Sequence, residues 1–239
     1  MTSSLEKFRN GLEKLEIAYS EKMIEQFLIF YEMLIEKNKV MNLTTITELD
    51  EVVEKHFLDS LSLIKSVNLK ENLKILDLGT GAGFPGIPLK IAFPHLEIVL
   101  LDSLNKRILF LQEVIDKLQL LKISAVHGRA EELARNIEFR EKFDLCVSRA
   151  VANLSSLSEY CIPFVRQGGR FIAYKSGEVE EEVQRAKKAI VILGGNMEKV
   201  KKFTLDGTEF SRSLIEIRKE SKTPKEYPRK AGIPSKTPI

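Results

Sequence analysis

The chain has 239 residues, 44% of them hydrophobic and 30% charged, which suits one large globular domain or a domain with a small appendage. Charges at Glu6, Lys7, Arg9, Glu13, Lys14 and Glu16 break up the first twenty positions, and no apolar run nears the roughly 18 residues that span a bilayer, so a cytoplasmic protein with no membrane partner is expected. The net charge of +3 is uneven: residues 218–239 hold seven Lys or Arg against two Glu (+5), leaving −2 for the rest, a distribution that suits either a polyanionic partner or a solvated end.

In chain order, Ser3-x-x-Glu6 has capping-box spacing, followed by Leu5, Phe8, Leu12 and Leu15 at helical intervals. Ser20 is a candidate cap for a longer helix carrying Phe27, Phe30, Tyr31, Leu34 and Ile35, and Thr47 with Glu48 and Asp50 opens another. Residues 1–70 thus read as an N-terminal helical extension whose aromatic stripe packs a core. From Lys74 short apolar runs alternate with amphipathic stretches. Strands are predicted at 74–78, 98–101, 122–126, 143–147 and 169–174, with helices at 106–118 and 178–193 among the segments between. Such alternation implies right-handed crossovers and a parallel sheet covered on both faces. It stops at Gly194-Gly195-Asn196, where two runs at 197–203 and 213–218, joined through Asp206-Gly207, predict an antiparallel hairpin. The expected fold is α/β, a Rossmann-like, mostly parallel seven-stranded sheet closed by that hairpin. Residues 71–220 would form the main domain and 221–239 a basic tail, extended because four of the eight prolines fall after Thr223.

The first strand runs directly into Gly79-Thr80-Gly81-Ala82-Gly83-Phe84-Pro85-Gly86, a turn whose glycines allow close approach of backbone to a ligand. Gly81-x-Gly83-x-x-Gly86 satisfies the dinucleotide pattern, but the register does not: counted from Gly79, directly after the strand, the third glycine would fall on Phe84. Asp77, just before the first glycine, stands where methyltransferases place a carboxylate near a methionine amino group. Register and hairpin together favour S-adenosylmethionine over a nicotinamide cofactor. Asp102 ends the second strand, at the position from which a carboxylate accepts both ribose hydroxyls of an adenosyl cofactor; a cap for the next helix is the alternative, and the paired loop and spacing favour the ribose role. Gly128-Arg129-Ala130-Glu131 follows the third strand, placed to meet the adenine. Cys146 and Cys161 form no CxxC, and His56, His95 and His127 lie far apart, so neither a disulfide framework nor a metal is expected.

These residues, with Leu101-Asp102-Ser103, Lys106-Arg107, Arg149-Ala150-Val151, Asn42-Leu43-Thr44, His56-Phe57-Leu58-Asp59-Ser60 and 227–234 (Tyr-Pro-Arg-Lys-Ala-Gly-Ile-Pro), closely resemble the RsmG (GidB) family along nearly the whole chain. The resemblance implies a bacterial enzyme that methylates a guanine N7 of 16S ribosomal RNA. It implies that Gly79, Phe84, Ala130, Glu131 and Arg149 meet the cofactor, joined by Asp77, Gly81 and Asp102. Thr80 stands where Ser is more usual, Ser148 where Ala is frequent, and Ser176-Gly177 follows Lys175 in place of the commoner Lys-Gly.

Guanine N7 has an in-plane lone pair and no proton, so such a transfer needs alignment rather than a base, in keeping with the lack of an acid/base constellation. Arg149 and Lys175 follow the fourth and fifth strands and are candidates for RNA contact, with an ion pair to a carboxylate such as Glu131 the alternative for Arg149. Asn42 and His56 either fold over the site or serve packing. Lys225, Arg229 and Lys230 are candidate phosphate contacts. A monomer is the expected state. The rival readings are a methyltransferase for another RNA or a small molecule, and a non-enzymatic RNA-binding assembly protein with an adenosyl pocket.

Overall fold

The computed structural model describes residues 2–149, 151–205 and 208–239; Ala150 and the Asp206-Gly207 turn lie outside them. Seven strands form one sheet: β1 (Lys74–Leu78), β2 (Glu97–Asp102), β3 (Ile123–His127), β4 (Phe143–Arg149), β5 (Val165–Ser176), β6 (Gly195–Thr204) and β7 (Ser211–Lys219). Their order is β3-β2-β1-β4-β5-β7-β6. The first five are mutually parallel, while β7 runs antiparallel to both β5 and β6. From β1 the chain steps outward to β2 and β3, then returns to the other side of β1 as β4. That reversal opens a crevice at the carboxyl ends of β1 and β4, where doubly wound folds bind ligands.

Side-chain alternation splits the core in two. Ile75, Ile98, Leu100, Leu145, Val147 and Ile172 face one side, under the helices Gly86–Ala92 and Asn105–Lys117 and the N-terminal extension. Leu76, Val99, Leu101, Cys146, Phe171 and Ile215 face the other, under the helices Leu154–Cys161 and Glu180–Ile192. Both cysteines are free and buried.

The extension consists of α1 (Thr2–Lys14), α2 (Glu21–Met41) and a helical run over 49–65. Ser20 caps α2 as expected, its hydroxyl accepting from Met23 N at 3.2 Å. Two start signals are shifted: α1 begins before Ser3, and the third helix begins at Leu49 with no side-chain cap. Within 49–65 the stretch Val53–Leu58 is π-helical, a widening that sequence periodicity does not announce. The predicted aromatic stripe is core. Phe27 lies 4.8 Å from Phe8 and 4.9 Å from Phe57, ring centre to ring centre.

The C-terminal segment departs from expectation. It is not an extended tail but lies packed against the sheet domain, with Thr223, Pro228 and Pro234 buried. Its many prolines lack N–H donors, so the task left for the body is to satisfy the segment's carbonyls, and arginines do so. Arg140 donates to the carbonyls of Thr223, Pro224 and Tyr227 at 2.8–3.2 Å.

Candidate functional site

The glycine loop is built around Asp77. Its side chain is fully buried, and Oδ2 accepts from the Thr80 hydroxyl at 2.6 Å and from Gly86 N at 2.8 Å. Position 86 must be glycine because a Cβ there would run into the Leu100 and Asp77 side chains. Thr80 keeps the hydroxyl that this arrangement uses. Burial pushes the Asp77 carboxyl up to about 6, against the lowering effect of its two hydrogen bonds. Its second oxygen, Oδ1, is buried and has no hydrogen-bond partner among the described residues.

The loop is also tied to β2. Gly81 N donates to Asp102 Oδ2 at 3.0 Å, Arg107 reaches the same oxygen at 3.2 Å, and Leu104 N donates to Oδ1 at 2.9 Å. Asp102 therefore organises the turn into the next helix while its edge lines a pocket. That pocket, of 340 Å³, lies across the ends of β1, β2 and β3, and its walls include Gly79, Asp102, Ala130, Glu131, Val151 and Tyr160. The volume falls within the roughly 300–1,000 Å³ of small-molecule sites.

Four of the expected cofactor residues thus meet in one cavity. Asp77 and Gly81 are not among its walls but support them, Asp77 by folding the glycine loop and Gly81 by bonding Asp102. Phe84 and Arg149 lie outside its walls, turned toward the extension. Phe84 is 5% exposed, with Phe30 at 5.3 Å and the His56 ring stacked on it at 4.5 Å. The Arg149 guanidinium sits 5.0 Å from the centre of the Phe84 ring. It does not pair with Glu131 but with Asp59 Oδ2 at 2.9 Å, and it donates to the Lys55 carbonyl at 3.1 Å. Asp59, 1% exposed, also accepts from Arg212 Nε at 2.8 Å, so one buried carboxylate bridges β4, β7 and the extension. Neither Asp59 nor Arg212 was singled out by sequence reasoning as a functional residue. The available signal was an acidic residue set in the apolar run Phe57-Leu58-Asp59-Ser60-Leu61.

The expected RNA-facing residues are dispersed. His56 bonds the Thr44 hydroxyl through Nε2 at 2.9 Å. Burial, then the neighbouring Arg149 charge, push its pKa down to about 3, so the ring is uncharged at neutral pH. Asn42 ends α2 in a left-handed conformation and is exposed. Lys175 donates to the Ala152 carbonyl and to Glu182, both at 2.7 Å. Arg229 grips the buried Glu159 through Nε and Nη2, while Lys225 and Lys230 are exposed. Ser148, unusual in its place, donates to the Leu78 carbonyl at 2.7 Å. Among the described residues no cluster suits a metal ion, and no helix is long and apolar enough to cross a membrane.

A family model described as "GidB: rRNA small subunit methyltransferase G" matches residues 23–214. A protein of Lachnoclostridium phytofermentans named ribosomal RNA small subunit methyltransferase G is 57% identical over 97% of this chain and 96% of its own length. One of the same name from Alkaliphilus metalliredigens is 49% identical over 97% of each. Among solved structures, an Aeropyrum pernix fibrillarin with bound S-adenosyl-L-methionine superposes with a TM-score of 0.51 at 18% identity, over 66% of this chain and 71% of that one. At that identity the likeness concerns the fold alone.

The Asp59 bridge sets a testable expectation. Asp59→Asn removes the one buried carboxylate that two half-buried arginines share and should lower stability by about 3 kcal/mol, the lower end of the cost of breaking a buried ion pair from one side. Urea denaturation measures it, and a loss under about 1 kcal/mol would show that water already screens the pair.

Proposed function

The chain belongs to the rRNA small subunit methyltransferase G (GidB) family and is an S-adenosylmethionine-dependent methyltransferase of small-subunit ribosomal RNA; we propose that the pocket at the ends of β1, β2 and β3 holds the cofactor and that the methyl acceptor is a guanine N7. The observation that carries this reading is the convergence of Gly79, Asp102, Ala130 and Glu131 on one cavity. The donor set suits the cofactor: Asp102 and Glu131 offer acceptors to a nucleoside, and Asp77 Oδ1 is a buried acceptor that an ammonium donor would fill.

When bound, S-adenosylmethionine supplies a methyl group made electrophilic by its sulfonium sulfur. The chain's task is to orient. Asp102, already fixed by Gly81, Leu104 and Arg107, would receive the ribose hydroxyls, and Glu131 would face the adenosyl portion. Gly79 and Gly81 keep side chains out of the cofactor's path. Phe84 and Arg149, anchored against His56 and Asp59, would form the side of the site nearest the extension. An attack by N7 requires no proton removal, and the neutral, buried His56 is placed to pack against Phe84 rather than to act as a base. Holding N7 and the methyl carbon at roughly 3–3.5 Å then supplies the rate enhancement.

For the RNA itself, the exposed Lys225 and Lys230 are the phosphate contacts we propose, with Lys175, Asn42 and His56 bordering the substrate side. Arg229 contributes through its ion pair with Glu159, a role distinct from direct phosphate binding.

Four outcomes are expected. Purified protein should transfer labelled methyl to 16S ribosomal RNA from cells lacking the gene, and mass spectrometry should map one 7-methylguanosine. Asp102→Ala should lower kcat/KM about 10- to 150-fold, the worth of a charged hydrogen bond; labelling only of metabolites or transfer RNA would overturn the assignment. Affinity for S-adenosylhomocysteine should fall with acidity. Asp77 holds a proton below about pH 6, and an ammonium must displace it, so Kd should rise about tenfold per pH unit below that point and flatten in Asp77→Asn. A profile unchanged by Asp77→Asn would remove Asp77 from the site. Lys225→Ala with Lys230→Ala should reduce the salt slope of RNA binding by about 1 to 2, and an unaltered slope would rule those lysines out.

A further inference from the structure

Two guanidiniums take the carbonyls of six consecutive C-terminal residues. Arg140 holds Thr223, Pro224 and Tyr227, and Arg135 holds Lys225, Glu226 and Pro228 at 2.6–3.3 Å. Both arginines sit in the loop that follows the helix Ala130–Leu133, which carries Ala130 and Glu131 into the pocket. Beyond this clamp, Arg229 embraces Glu159, donating from its backbone N at 2.7 Å and from Nε and Nη2. Glu159 is fully buried and immediately precedes Tyr160, another wall of the pocket.

The segment then arrives at the pocket itself. Gly232 N donates to Glu131 Oε1 at 3.0 Å, while Glu131 Oε2 takes no hydrogen bond among the described residues. Gly232 has φ of 82°, a left-handed turn that favours glycine, and a Cβ there would meet nothing within 4 Å. The backbone conformation, not crowding, is therefore what position 232 requires. Just beyond, the Ser235 hydroxyl donates back to the Gly232 carbonyl at 3.1 Å, and the Ser156 hydroxyl, one helical turn before Tyr160, donates to the buried Pro234 carbonyl at 2.7 Å.

We propose that residues 223–236 are a strap that completes the cofactor pocket: Gly232 fixes one oxygen of Glu131 and leaves the other for the adenosyl group, and Pro234, through Ser156, seats the helix that carries Tyr160 on the opposite wall. Glu131 would otherwise be a flexible carboxylate at the start of a single helical turn, with rotamer freedom to lose on every binding event. The strap removes that freedom in advance. Gly232 and Pro234 are thus positioning residues that act through Glu131 and the helix of Tyr160. The clamp by Arg135 and Arg140 explains how a proline-rich segment with few donors of its own stays seated.

The proposal rests on reading the pocket as the S-adenosylmethionine site, and the test separates the two. Three proteins are compared by calorimetry with S-adenosylhomocysteine and with 5′-methylthioadenosine, which lacks the amino-acid half: the full chain, a chain ending at Lys230, and full-length Pro234→Gly. The shortened chain keeps the arginine clamp and the Arg229–Glu159 pair. Its Kd for both probes should rise about tenfold, the loss of one charged hydrogen bond, and Pro234→Gly should raise it about threefold. Melting of the unliganded proteins should shift by only a few degrees, about what one lost contact does in a chain of this size. Affinities within twofold of the full chain's would overturn the strap, as would a loss confined to S-adenosylhomocysteine. Should the shortened chain fail to fold, an unchanged Kd in Pro234→Gly has the same force. A full chain that binds neither probe would overturn the cofactor reading, and the strap with it.

Discussion

The buried carboxylate of Asp77 governs the geometry of everything around the crevice. Burying a carboxylate is costly unless hydrogen bonds offset the lost hydration, and Thr80 and Gly86 supply two to one oxygen by folding the glycine loop back over the end of β1. That fold fixes what the loop presents on each side. Toward β2 it offers Gly81 N to Asp102, and toward the extension it offers Phe84. The oxygen left unfilled is a local cost, and such costs are expected where a ligand is to bind.

Two buried carboxylates then close the site from opposite sides, each by holding arginine from a distant part of the chain. Asp59 binds Arg149 and Arg212, fastening the extension to β4 and β7. Glu159 binds Arg229 and fastens the C-terminal strap to the helix behind Tyr160. Buried ion pairs contribute little net stability compared with apolar packing of the same volume, because desolvation offsets most of the attraction. Their value here is directional. An apolar contact would tolerate sliding of the extension or the strap, whereas directed guanidinium bonds, bidentate from Arg229 and one to each Asp59 oxygen from Arg149 and Arg212, fix one register.

The arrangement matches a reaction that asks for alignment and no proton transfer. The titratable groups nearest the glycine loop are either locked in hydrogen bonds, like Asp102, or kept neutral by burial, like His56. Phe84 links the two regions. It belongs to the cofactor loop by sequence and to the aromatic core of the extension by packing, so displacement of the extension would be felt at the loop.

Local pattern was enough to read the elements of the sheet domain. Apolar runs marked the central strands β1, β2 and β4 to within a residue or two, because a strand buried on both faces has no room for polar interruption, whereas the edge strand β6, largely exposed and rich in lysine, was read only from its place after the glycine turn. The glycine loop, Asp102 at the end of β2 and the closing hairpin were legible for the same reason: each depends on neighbours close in sequence. The π-helical widening at Val53–Leu58 left no periodic trace, and the pairing of Asp59 with Arg149 and Arg212 spans 90 and 153 residues. The C-terminal segment shows the limit most clearly. A basic, proline-rich composition reads as solvated chain, since prolines forgo ladder bonds and lysines seek water. Whether its carbonyls face solvent or two arginines some 80 to 90 residues earlier is a tertiary matter, and Arg135 and Arg140 decided it.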